Sequence, residues 1–286
     1  MVIALLATDA LAGSESQFDT HWYDGKAELD GYRLSVSRYG QKRVGRAVLV
    51  YVTEPFSKKK RVKVDDWKKN PDDTFNVLKL NLVRDFQTGI YDYNTMVSVF
   101  SRTSDLTPVK VTFTSAEWCG NIYEQLIFRD NRISGHYYSY FEDESGAIDI
   151  TEPDGAIIED NLFILLRGLR EDYLEPGQHK TVQMLPGAYF TRLSHKKRQW
   201  VKTEIRRSKA LETIDVPAGT FETSLYEVET SDGRDGKFYI ESAYPHRIIR
   251  WEMFPDLEAE LAGSARLKYW TLNKNGDESY LKKLGF

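Results

Sequence analysis

Cys119 is the lone cysteine of this 286-residue chain, and it lies in Glu117-Trp118-Cys119-Gly120. A thiol becomes a nucleophile when a base takes its proton, and a histidine oriented by a carboxylate is the usual base. His136 would fill that role, Glu117 or Glu142 would orient it, and Gly120 would leave room for a substrate. The same residues also fit an inert thiol, because free cysteine packs as a small apolar side chain. Histidines occur at 21, 136, 179, 195 and 246, with no spacing typical of zinc ligands, so no metal site is expected. The chain has no nucleophile elbow, phosphate loop or dinucleotide fingerprint, so no cofactor is expected either. A hydrolase built on a carboxylate pair stays open, because such pairs need no local motif.

Other residues suit recognition better than covalent chemistry. Between Lys79 and Met96 the chain carries Lys79, Asn81, Arg84, Tyr91 and Tyr93. If the strands starting at Lys79 and Tyr91 pair, Lys79, Asn81, Tyr91 and Tyr93 could share a face opposite the core. Such a face would suit a sugar or a lipid headgroup, and an ordinary solvated sheet face fits the same pattern. In His136-Tyr137-Tyr138-Ser139-Tyr140-Phe141, a strand would place His136, Tyr138 and Tyr140 together. Tyr138 and Tyr140 are ligand candidates, since tyrosine joins an apolar body to a polar tip. Two basic runs, Lys58–Arg61 and His195–Arg198, suit anionic lipid or acidic polysaccharide, or serve as charges that protect strand edges.

Strands must hold these side chains. Ala47, Leu49 and Tyr51 alternate with Val48, Val50 and Val52, so this strand has two apolar faces and belongs at a sheet centre. Val77–Leu82 and Val109–Thr114 alternate cleanly, with Leu78, Leu80, Leu82, Val109, Val111 and Phe113 inward. Turn signals at 70–73, 129–131, 231–233 and 273–276 separate further strand-like runs. The expectation is a mainly β fold: a large curved antiparallel sheet or partly open barrel with one covering helix. That helix is read over 158–169, with Ile158, Leu162, Leu165, Leu166 and Leu169 on one face. A shorter helix is read over 15–23. Residues 14–286 are expected to form a single β unit, with a possible seam near 172–177 at Glu175-Pro176-Gly177.

A net charge of −4 gives no reason to expect nucleic acid as a partner. No run reaches the ~18 apolar residues of a membrane-spanning helix. Residues 1–13 read as a signal peptide, with Ala10-Leu11-Ala12 as a small-x-small cleavage pattern, although Asp9 interrupts the apolar run. The expected location is periplasmic or secreted.

Two stretches carry a resemblance. Val216-Pro-Ala-Gly-Thr-Phe-Glu222 is followed by Tyr226-Glu-Val-Glu229, Tyr239 and Pro245-His-Arg-Ile-Ile-Arg-Trp-Glu252. This cassette resembles a family of uncharacterised, exported bacterial β-proteins with the same turn. Arg84-Asp-Phe-Gln-Thr-Gly89 and Glu117–Gly120 are similar to segments of a second group of uncharacterised exported bacterial proteins. The resemblance implies a β fold and export, and assigns no role to any residue. The leading expectation is a non-catalytic binding protein for an amphipathic envelope component: a lipid, a lipid-linked molecule or a polysaccharide. The alternatives are an envelope hydrolase using Cys119 or a carboxylate pair, and a structural envelope module.

Overall fold

A computed structural model describes residues 17–286, so the expected signal segment lies outside the described residues. The alternation at Val77–Leu82 belongs to β3 (Thr74–Thr88), with Leu78, Leu80 and Leu82 buried on its inner face. Before it come β1 (Ala27–Arg38) and β2 (Gln41–Ser57). After it come β4 (Tyr91–Arg102), β5 (Pro108–Glu117), β6 (Gly120–Arg129), β7 (Arg132–Tyr138) and β8 (Gly146–Thr151). Each of these strands pairs antiparallel with the next.

The second half supplies β9 (Ile157–Ile158), β10 (His179–Leu185), β11 (Val201–Arg207) and β12 (Glu212–Val216). It ends with β13 (Gly219–Thr230), β14 (Asp235–Glu241), β15 (Ile248–Met253) and β16 (Leu257–Leu267). β16 pairs with β1, which joins the halves into one 16-stranded sheet with β8 at one edge and β9 at the other. β12 attaches to β13 alone, and Pro217-Ala218 is the turn between them. The possible seam at 172–177 falls in the connection leading to β10, and the sheet runs on through β10 and β11.

The sheet bends around a main core that gathers Leu34, Leu49, Leu80, Phe113, Phe238 and Trp251 from both halves. As its alternation demands, β2 is covered twice. Leu49 and Tyr51 enter the main core, while Val50 and Val52 join Ala27, Leu29 and Leu284 on the outer face. A C-terminal 3₁₀ segment, Asp277–Leu284, supplies that outer cover. It lies so close to β1 that a Cβ at Gly31 would stand 2.2 Å from the Leu284 carbonyl oxygen.

The expected helix over 158–169 is shorter. Glu159–Asn161 form a 3₁₀ turn and α2 spans Leu162–Leu165. The cause is burial on every side. Glu159, Asp160 and Asn161 are buried along with Phe163 and Ile164, so the segment has no wet face. Gly168, at φ +60°, ends it. The segment fills the concave side of the sheet as a plug, and Phe163 packs edge-on against Phe238 and Trp251. Of the shorter helix read over 15–23, residues 17–22 are helical and form α1.

Antiparallel strands return every second connection to the same end. The turns β1–β2, β3–β4 and β5–β6 share one end with α3 (Ala188–Ser194), called here the turn end. The other, plugged end holds α1, the β14–β15 loop and a buried charge cluster. There Arg167 pairs with Glu28 at 2.7 Å. It also donates to the carbonyls of His246 and Pro245 at 3.0 and 2.8 Å, and lies 4.3 Å from the Tyr51 ring centroid. Burial drives the Asp30 carboxyl up to about 8, and the nearby Glu28 charge adds to this. Glu28 is held down to about 2: burial alone would raise it, but Arg167 and His21 overcome that.

Candidate binding site at the sheet seam

An open seam lies between the sheet's two edge strands, β8 and β9, which do not pair with each other, and residues 152–156 cross it. Trp200 closes one end of the seam, its indole N–H donating to the Thr151 carbonyl at 3.0 Å. At the other end His195 Nδ1 meets the Glu144 carboxylate at 2.5 Å. Between these ties, β8 has a strand partner on one side only. A slot of about 320 Å³ opens there. Tyr137, Ile148 and Ile150 form an apolar floor that continues into the main core. Glu144, His195, Lys196 and Lys197 form the lip.

Local sequence explains both walls. The half-buried residues Ile148 and Ile150 alternate with the exposed Ala147 and Asp149, so one face of β8 turns to the core. On the opposite wall, the plug carboxylates hold the start of α3. Gly187 N–H donates to Glu159 at 3.0 Å and Ala188 N–H to Asp160 at 3.0 Å. His195 ends the helix in the left-handed region at φ 55°. Arg198 then grips Glu124 on β6 with two bonds of 3.0 and 2.6 Å. Arg192 pairs with Glu117 and lies 4.6 Å from the centroid of Phe141. Each pair joins α3 or its following loop to the β5–β6 hairpin, with both side chains buried. Burial pushes the Tyr137 hydroxyl up to about 12, and the carboxylates of Glu144 and Glu124 add to the effect. Burial also lifts Asp160 to about 6, against the pull of Arg198.

The residues singled out from sequence fall in several places. Cys119 is exposed in the β5–β6 turn. His136 registers on Gln125, five residues along β6 from Gly120, which is roughly 17 Å of strand. His136 instead lies beside Tyr138, ring centroids 4.1 Å apart. Glu117 belongs to Arg192, and Glu142 is exposed in the β7–β8 loop. The space expected over Gly120 is filled by the Tyr140 ring, which a Cβ there would meet at 2.3 Å. No catalytic dyad is assembled from these residues. Among the described residues, no group of three His, Cys, Asp or Glu side chains is placed to hold a metal ion.

Lys79, Asn81, Tyr91 and Tyr93 do not share a face. The tight turn at Gly89-Ile90 pairs Thr88 with Tyr91, so odd positions of β3 face even positions of β4. Tyr91 and Tyr93 therefore point inward with Arg84, while Lys79 lies outside and pairs with Glu54 at 2.7 Å. Arg84 is buried 4.7 Å from the Tyr189 ring centroid. Tyr93 and Tyr91 bond the Tyr39 hydroxyl at 2.6 and 3.2 Å. Tyr138 is exposed on the convex side at the end of β7 and Tyr140 is exposed in the β7–β8 connection, while the preceding tyrosine, Tyr137, lines the slot.

A second cleft of about 490 Å³ opens at the plugged end beside Arg167, Arg207 and Tyr226. Arg207 is already engaged there by Asp172 at 2.6 Å, Ser224 at 3.0 Å and the Leu174 carbonyl at 2.6 Å.

No family model and no curated protein matches the chain. Among solved structures it is similar to a β-barrel-like protein of a domain of unknown function (DUF1849) from Brucella abortus. That match has a TM-score of 0.50 at 8% identity and covers 84% of this chain and 98% of the other. It shows a shared fold and nothing finer. A candidate exported protein with a YmcC-like fold from Bacteroides fragilis also matches, at TM-score 0.25 and 13% identity. It covers 83% of this chain and 95% of the other, and is too loose a likeness to carry an argument. No helix among the described residues is long and apolar enough to cross a membrane.

Proposed function

We propose that this protein binds an amphipathic envelope component, a lipid, a lipid-linked molecule or a polysaccharide, and performs no reaction on it. The proposed location is periplasmic or secreted, a reading that rests on residues 1–13 and the motif resemblance. One observation carries the binding reading: the seam slot sets the apolar floor of Tyr137, Ile148 and Ile150 beneath a charged lip. Small-molecule sites combine apolar walls with a few polar groups in this way. The plug fills the concave side of the sheet, so the ligand would enter at the seam. Lys79, Arg84, Tyr91 and Tyr93 lie away from the slot lining in this reading, while Tyr140 reaches its lip through Phe141 and His195.

Native mass spectrometry of protein from its own cells, followed by organic extraction, tests the proposal. The expected result is a reproducible lipid or glycan mass, lost when Ile148 and Ile150 are both replaced by Ser. Bare polypeptide mass from native cells would overturn it. Loss of the mass in a Tyr138→Ala, Tyr140→Ala variant would extend the site onto the convex side.

A further inference from the structure

The turn end carries large apolar side chains where solvent would be expected. Tyr39 is 57% exposed, Ile90 79%, Trp118 69% and Tyr140 63%. They occupy the successive connections β1–β2, β3–β4, β5–β6 and β7–β8. At the opposite end of the same strands, the β4–β5 and β6–β7 turns present Asp105 and Asp130-Asn131, while the long β2–β3 loop exposes Val62 and Trp67 and the connection from α1 to β1 exposes Tyr23. Isolated exposed apolar residues are ordinary, but four on adjacent turns of one end make a patch.

The chemistry of the patch selects its partner. Tyrosine and tryptophan settle at membrane–water interfaces because each joins an apolar ring to a polar tip. The rings are held in place: Tyr39 bonds Tyr93 and Tyr91, and the Tyr91 and Trp118 ring centroids lie 6.3 Å apart. Arg38, Lys42 and Arg43 flank the Tyr39 turn, and Lys196 and Lys197 follow α3 at the same end. Around the four tips the acids that lack a charged partner are Asp92, Glu142 and Asp143, so cations are in excess there; Asp235 and Asp256, at the β13–β14 and β15–β16 turns, line a neighbouring cleft with Lys42. Apolar tips set among cations match a bilayer with anionic headgroups.

We infer that the turn end docks on an anionic lipid bilayer, with Tyr39, Ile90 and Trp118 entering the interface. The inference does not depend on the slot holding a ligand. It adds that the slot, whose lip includes Lys196 and Lys197, would open close to the membrane surface.

Flotation with vesicles of equal parts phosphatidylglycerol and phosphatidylcholine tests it, with pure phosphatidylcholine vesicles alongside. The wild-type protein should float with the first vesicles and much less with the second, and high salt should weaken the binding. A Tyr39→Ser, Ile90→Ser, Trp118→Ser variant should lose at least tenfold in vesicle affinity, and Ile90→Ser with Trp118→Ser, which keeps the Tyr39–Tyr93 bond, should lose affinity with an unchanged thermal midpoint. Trp67→Ser, at the other end, should bind as wild type does. Milder single variants, Ile90→Ser and Trp118→Ser, keep the test valid if the triple variant fails to fold. The inference falls if the wild-type protein binds neither vesicle, if it binds both equally, or if the apolar-tip variants bind as tightly as wild type.

Discussion

Two clefts of the described structure, the seam slot and the cleft at the plugged end, differ in what their polar groups are doing. The cleft at the plugged end is the larger, and its arginines are mostly committed: Arg167 to Glu28 and Arg207 to Asp172, Ser224 and a backbone carbonyl, with Arg167 Nη1 and the Asp30 carboxyl oxygens left without hydrogen-bond partners. The seam slot is smaller, and its lysines and the open edge of β8 have no such commitments. Buried charges that satisfy one another shape a fold, whereas unspent polar groups beside apolar floor recognise something else.

Breaking the plugged end should have the largest effect. Arg167→Met leaves Glu28 buried without its cation, and removing one member of a buried pair costs about 3–5 kcal/mol. Urea unfolding would measure it, and a neutral result would erase the contrast between the clefts.

The next effect concerns pH. Asp30 is protonated in the folded protein up to about pH 8, yet an unfolded aspartate ionises near ~3.9. Folded protein therefore holds the extra proton between these values, and Asp30's contribution to stability falls as pH rises through that window. Glu28, held at about 2, acts oppositely, adding stability as pH rises towards the ordinary glutamate range. Asp30→Asn should flatten the fall in thermal midpoint between pH 5 and 8, and an unchanged slope would show that Asp30 is ionised when folded.

A smaller effect should follow at the seam. Trp200→Phe removes the bond to the Thr151 carbonyl, worth about 1 kcal/mol. Amide exchange in β8 should quicken while β3 stays protected. Least of all, Lys196→Ser with Lys197→Ser should change stability by less than about 0.5 kcal/mol. Any effect of that pair should show in ligand occupancy instead.

The β architecture was legible because alternation is a local signal. Both faces of β2 could be read from its valines and leucines, and the Val216–Glu222 turn from Pro217 and Gly219. What was misread depended on partners distant in sequence. The shared face of Lys79 and Tyr91 failed on a single turn residue count, since one step of register swaps every side chain between faces. The plug read as an amphipathic helix because nothing local says that Glu159 and Asp160 are met by the start of α3 and by Arg234 and Arg198. The slot was invisible for the same reason: Ile148, Arg198 and Glu124 come from three separate stretches. Glu28 and Asp30, set among Ala27, Leu29 and Gly31 in β1, were a readable hint of interior charge.

The pairing of β1 with β16 also sets an order of events during synthesis. β1 through β8 can zip together as they emerge, each strand meeting a neighbour already made. The outer edge of β1 must wait for a partner some 220 residues downstream, which at ~5–20 residues per second leaves it bare for about 10–40 s. During that time Glu28, Asp30 and Arg33 line a strand whose open backbone invites any other strand. Truncation within β16 should therefore yield an assembled first half with a permanently sticky margin, prone to pair with copies of itself.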